Sequence, residues 1–204
     1  MRKIIFMIVC LCLSTVEGMS QVNDLTGQQL EEFRNRTLKV IKLFERNISR
    51  LGSKNVDSSI KPRIQRTTLE LFIESGEPYI DFDGLPNKGV KMQVSSATRG
   101  TVVSRLLKSY LNNLENLRYA KVEITSADAC KVSRFYKIDD GLYEAVATIS
   151  QKFIGYNENG KPIYDDITDK SIKVRLQLKV IDGEDFWDVV LGDISVIKTE
   201  RVKR

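Results

Sequence analysis

The sequence predicts an α+β protein in which three helices of the N-terminal half pack on an antiparallel sheet built by the C-terminal half. Three observations predict it. From Leu30 to Leu51 apolar residues recur every three or four positions, the period of one helix face. From Ala120 onward the period falls to two, which is the alternation of a strand with one buried side. The alternating runs are separated by Asp139-Asp140-Gly141, Asn157 to Gly160 and Asp182-Gly183, and strands joined by such short turns run antiparallel. Helices first and strands after them make an α+β design.

Residues 1–20 read as a signal peptide and lie outside the fold. Arg2 and Lys3 precede a ten-residue apolar run, Ile4 to Leu13, and small residues at Gly18 and Ser20 suit cleavage before Gln21. The run is too short to span a bilayer, which takes about 20 residues. Cys10 and Cys12 follow Val9 and Leu11, so neither has the small preceding residue that a lipid-attachment signal needs. Cleavage would remove two positive charges and one negative one, and the formal +5 of the chain would become +4. It would also leave Cys130 as the one cysteine, and a single cysteine forms no intrachain disulfide. The expected location is therefore periplasmic or extracellular. Residues 21–199 read as one domain, followed by a basic tail at 200–204.

The first helix is expected from Thr26, which forms a capping-box pair with Gln29, to Gly52. A second is expected from Asp57 or Ser58 to about Glu74, with Pro62 in its first turns and Gly76 as its stop. Two short strands around a Gly/Pro/Asn turn follow over residues 79–94. A third helix is expected from about Thr101 to Asn116, with Leu107, Leu111 and Leu114 on its apolar face.

The sheet strands follow in order. Val122 and Ile124 mark the first, and Val132 to Ile138 is the second. A long third carries Tyr143, Ala145, Ala147, Ile149, Gln151 and Phe153. The fourth alternates from Ile172 to Val180, and the last carries Trp187, Val189, Leu191 and Ile197.

Composition excludes several chemistries. The chain has no histidine, so a Ser-His-Asp triad, a Cys-His pair and a histidine-metal centre are ruled out. No motif requires a cofactor or a metal. The acidic run Asp165, Asp166 and Asp169 lacks the glycine and closing glutamate of a calcium loop, and reads as a solvated turn. Nucleic acid is not an expected partner, because no recognition motif is present.

The element order resembles the nuclear transport factor 2-like (NTF2-like) superfamily, which includes ketosteroid isomerase and SnoaL-type proteins. The resemblance spans about Leu25 to Thr199 and rests on order and length. The wording from Phe153 to Lys170 and from Leu191 to Ile194 also resembles exported proteins of Bacteroidetes-type bacteria. The superfamily implies a curved sheet wrapped on helices as a cone with a pocket at its open end, and dimers through the outer sheet face. It also implies that a carboxylate base with a tyrosine donor could serve as a site without histidine. Its members include enzymes and binding modules alike, so fold does not settle function.

Tyr119, Tyr136, Tyr143, Phe153 and Trp187 are the candidate pocket aromatics. Asp193 is the candidate carboxylate, because it interrupts an apolar strand with the parity of Trp187, Val189 and Leu191. No position matches a catalytic motif, so no catalytic residue is assigned. On the first helix, Arg36, Lys39, Lys42, Arg46 and Arg50 share one quadrant opposite the apolar stripe, with Glu32 as the acidic exception. Such a stripe suits an anionic surface or an acidic partner.

These features lead to an exported, non-catalytic binding module with a cone-type pocket, and a small ligand in it. One alternative is an isomerase or dehydratase-type enzyme with a Tyr/Asp pocket. Another is a structural subunit of an envelope complex that docks by the basic helix face. A homodimer through the sheet and a protein or anionic envelope partner are the expected associations.

Overall fold

The computed structural model describes residues 24–98, 100–126 and 130–202. The leader expected at residues 1–20 lies outside the described residues, as do Lys203 and Arg204 of the expected tail.

Helix α1 spans Gly27–Gly52 and opens on the expected capping box, with Thr26 and Gln29 each accepting the other's backbone N–H. Its stripe of Ile41, Phe44, Ile48 and Leu51 is buried. Helix α2 is shorter than expected. A single 3-10 turn, Ser58–Ile60, leads into Lys61–Leu69, and the helix stops there. Phe72 is extended and bridges to Leu191, whose N–H donates to the Leu71 carbonyl at 2.8 Å. Glu74 and Ser75 then adopt left-handed φ of 44° and 52° in the turn Ile73–Gly76. The bond to the sheet takes the carbonyl that one more helical turn would have used.

Strands β1 (Tyr79–Ile80) and β2 (Pro86–Asn87) form a small hairpin, so that Pro86 and Asn87, expected in the turn, are its second strand, while β3 (Lys91–Val94) is a separate strand. The third helix begins later than expected. Val103–Leu106 form strand β4, paired with β3, and α3 covers Leu107–Leu114. The β-branched pair Val102-Val103 fits a strand better than a first helical turn.

Strand β5 spans Lys121–Ser126. The expected strand at 132–138 is two pieces, β6 (Lys131–Val132) and β7 (Tyr136–Asp139). Three long strands complete the sheet: β8 (Leu142–Tyr156), β9 (Pro162–Ile181) and β10 (Glu184–Arg201). The tail therefore belongs to β10 as far as Arg201. The order is β4-β3-β10-β9-β8-β5, with β6 and β7 also on β8. All pairings are antiparallel except β3 with β10, which is parallel. The register breaks between Leu191 and Ile194 and again between Val196 and Lys198, and breaks of this kind bend a strand. The expected α+β architecture is thus observed, with three helices packed on a curved sheet.

Helix α1 also closes one edge of the sheet. The outward N–H groups of Val122, Ile124 and Ser126 on β5 bond to Ser53 Oγ, Ser49 Oγ and Glu45 Oε2 at 2.8, 2.9 and 3.0 Å. Four helical residues rise about 6 Å, and two strand residues advance about 6.6 Å. The steps nearly match, so side chains at every fourth helix position meet every second strand residue.

The opposite sheet face carries a strap. Arg175 alternates with the core residues Val174 and Leu176 and so points away from them. It bonds Asp81, in the turn between β1 and β2, and Glu144 of β8, each at 2.8 Å. The Phe82 ring lies 5.9 Å from its guanidinium. The strap covers part of the face where a homodimer was expected.

Candidate functional site

On β8 and β9 the register sets Gln151 opposite Thr168, Phe153 opposite Asp166 and Gly155 opposite Tyr164. Further along the same face of β9 lie Ile172, Val174 and Leu176, which are core. The inner face therefore changes from apolar to polar along a single strand. Where it is polar, a cavity of about 680 Å³ lies over the paired strands, bounded by the end of β3 and the C-terminal half of α3. A larger open cleft of about 1120 Å³ lies by Ile163, Ile167 and Val202 at the strand ends. The smaller one is where buried ionisable groups converge, and it is the candidate site.

Its wall is aromatic. Tyr119 packs edge-on against Phe153 at 5.7 Å, and Phe153 packs likewise against Tyr164 at 5.7 Å. The Tyr119 ring rests on Gly155, where an added Cβ would lie 2.5 Å from it. The glycine is needed there for space. The Tyr110 hydroxyl makes no hydrogen bond to the described residues, and burial pushes its pKa up.

Its floor is polar. The Tyr164 hydroxyl donates to the Asp166 carboxylate and lies 2.9 Å from Ser96 Oγ. Lys170 Nζ donates to Gln151 Oε1 at 2.7 Å, and Gln151 Nε2 donates to Glu45 Oε1 at 3.1 Å. Glu45 in turn accepts the Ser126 N–H and hydroxyl. The chain of bonds runs from the cavity to the sheet edge, as buried polar groups require.

Burial dominates the electrostatics. It raises the Asp166 pKa above the usual carboxylate value, against the Tyr164 hydrogen bond. It lowers the Lys170 pKa to about 8. Burial, and then the bond to Asp166, push Tyr164 up to about 12. Two exposed arginines, Arg105 and Arg118, stand at the lining. Among the described residues no group of three or more Cys, Asp or Glu side chains is placed to hold a metal ion.

Of the six pocket candidates read from sequence, Tyr119 and Phe153 line this cavity. Tyr143 and Trp187 pack on each other at 5.5 Å, in a different place. They lie opposite Leu176 and Leu178, at the apolar end of the sheet, and the Tyr143 hydroxyl accepts the Leu25 N–H. Tyr136 is 55% exposed on β7, because it pairs with Glu144 and so lies on the outer face of the sheet. Asp193 sits in the register break of β10, and its Oδ1 accepts the Lys91 N–H of β3 at 2.8 Å. It is a strand-joining carboxylate outside the cavity lining.

Tyr164, Asp166 and Lys170 were missed. The acidic run was expected to be a solvated turn. It is strand, with Asp166 buried. All five residues of the basic helix face are exposed. Arg36 lies 3.8 Å from Asp188, while Lys42, Arg46 and Arg50 border a shallow groove beside β5 that Lys121 also lines.

No family model and no curated protein matches the sequence. Similar solved structures include that of a candidate scytalone dehydratase from Novosphingobium aromaticivorans, which is 11% identical. The match covers 85% of this chain and 93% of that one, with a TM-score of 0.37.

Proposed function

We propose that the domain is an NTF2-like cone whose cavity binds a small, planar molecule carrying an anionic group. The observation that carries this reading is the convergence of Tyr164, Asp166 and Lys170 on one strand face beneath an aromatic wall. Burying such groups costs free energy that an apolar core would avoid. A cavity of about 680 Å³ is within the range of small-molecule sites. Tyr119, Phe153 and Tyr164 offer flat surfaces to a ring, and Arg105 and Arg118 offer charge to an anion. The Tyr110 hydroxyl, without a partner among the described residues, supplies a further donor. The apolar run at residues 4–13 supports a place of action outside the cytoplasm.

One observation favours acid–base catalysis as a second reading. Asp166, with a raised pKa and a tyrosine hydroxyl on its carboxylate, has the character of a general base or acid.

The test is a titration with 4-(hydroxymethyl)benzoate followed by ¹H–¹⁵N NMR. Saturable shifts at Phe153, Tyr164 and Thr168 are expected. Shifts scattered over the surface, or none at these amides, would overturn the reading.

A further inference from the structure

The bonds described so far leave one reactive group unused. Lys170 is an amine at the cavity, 6% exposed, on the same strand face as Asp166 and Tyr164. Among the described residues its hydrogen bond goes to a neutral amide oxygen, Gln151 Oε1. No carboxylate lies within ion-pair distance of it among the described residues. Asp166 from β9 and Glu45 from α1 act on it only through their fields.

We propose that Lys170 captures an aldehyde or ketone in the cavity as a reversible imine. This rests on the reading of the cavity as a ligand site, and adds the chemical class of the ligand. The neutral amine nitrogen attacks the carbonyl carbon, a C–N bond forms, and the C=O π pair moves to oxygen. The carbinolamine then loses its hydroxyl as water while the nitrogen lone pair closes the C=N bond. The two protons of the amine leave with the carbonyl oxygen, so the step balances without an oxidant or reductant. Tyr164 and Asp166 are the cavity groups able to relay them.

The electrostatics support the geometry. Burial lowers the Lys170 pKa to about 8 against the opposing pull of Asp166 and Glu45. At pH 7.5 the neutral fraction is then roughly two hundredfold that of an ordinary lysine near 10.4. The exposed arginines at the lining would hold an anionic tail, so a carbonyl acid is the preferred shape.

The experiment treats the protein with 4-formylbenzoate and cyanoborohydride at pH 7.5, then maps the reduced adduct by peptide mass spectrometry. The expected result is one adduct per chain at Lys170, formed at least about tenfold faster than at exposed lysines. It should be slowed by 4-(hydroxymethyl)benzoate and absent at this site in Lys170→Met. Adducts spread over surface lysines would overturn the imine proposal. If the alcohol still shifts the cavity amides while Lys170 stays unmodified, the imine proposal fails and the binding site stands. If neither compound engages the cavity, both fail.

Discussion

Ser49 Oγ accepts the N–H of Ile124 at 2.9 Å and donates to the Glu45 carbonyl at 2.8 Å. Ser53 repeats the arrangement one helical turn on, accepting from Val122 and donating to Ser49. A serine in the helix, and another at its C-cap, here link the helix backbone to a strand edge. Ser49→Ala and Ser53→Ala each leave one strand N–H without its acceptor, at a cost of about 1–2 kcal/mol. The loss should be larger for Ser53, which is buried. Urea unfolding checks this, and a double variant with the wild-type midpoint would contradict it.

Gly155→Ala should destabilise the fold by about 1–3 kcal/mol, the usual cost of overpacking. The new methyl meets the Tyr119 ring and forces it off the strand toward the cavity. Thermal unfolding measures the first effect. Binding of 4-(hydroxymethyl)benzoate measures the second, and should weaken.

Lys170 gives a pH signature whose sign follows from its lowered pKa. Between about pH 8 and 10.5 the unfolded chain keeps a proton that the folded chain has lost, so stability rises with pH across that window. The gain at its top is at most about 3 kcal/mol. Lys170→Met removes the titrating group. Wild-type stability minus that of the variant should therefore climb from pH 8 to 10.5, and a flat difference would refute the assignment.

Asp193→Ala removes the acceptor of the Lys91 N–H and should cost about 1–2 kcal/mol. Asp193→Asn keeps an acceptor oxygen and should recover most of that. Neither should change the affinity for 4-(hydroxymethyl)benzoate by more than about twofold, because Asp193 is outside the cavity lining. A large loss of affinity would return it to the site.

The framework was legible where burial and periodicity agree. The stripe from Leu30 to Leu51, the capping box at Thr26 and the alternation from Ile172 onward all reappear as built. The site was illegible for a related reason. Over Tyr164, Asp166, Thr168 and Lys170 the inward positions of β9 are polar, so a search for apolar alternation finds no strand there. A cavity that needs hydrogen-bonding groups erases the pattern that marks its own walls. Asp193 misled for the opposite reason. It stood out against apolar neighbours, but the register break at Gly192 turns it toward β3. Helix α2 ended early because Leu71 and Phe72 bond to β10, a partner more than a hundred residues away that no local pattern announces.

The helix rungs along β5 also bear on self-assembly. A filament of chains joined sheet to sheet needs every copy to offer two open edges, one for each neighbour. Three of the outward N–H groups on β5 are already taken by Glu45, Ser49 and Ser53, so that strand cannot accept an incoming one. Strand β4, at the other end of the order, has no such rungs among the described residues. Glu45, Ser49 and the cap residue Ser53 thus shield β5 from strand-to-strand joining.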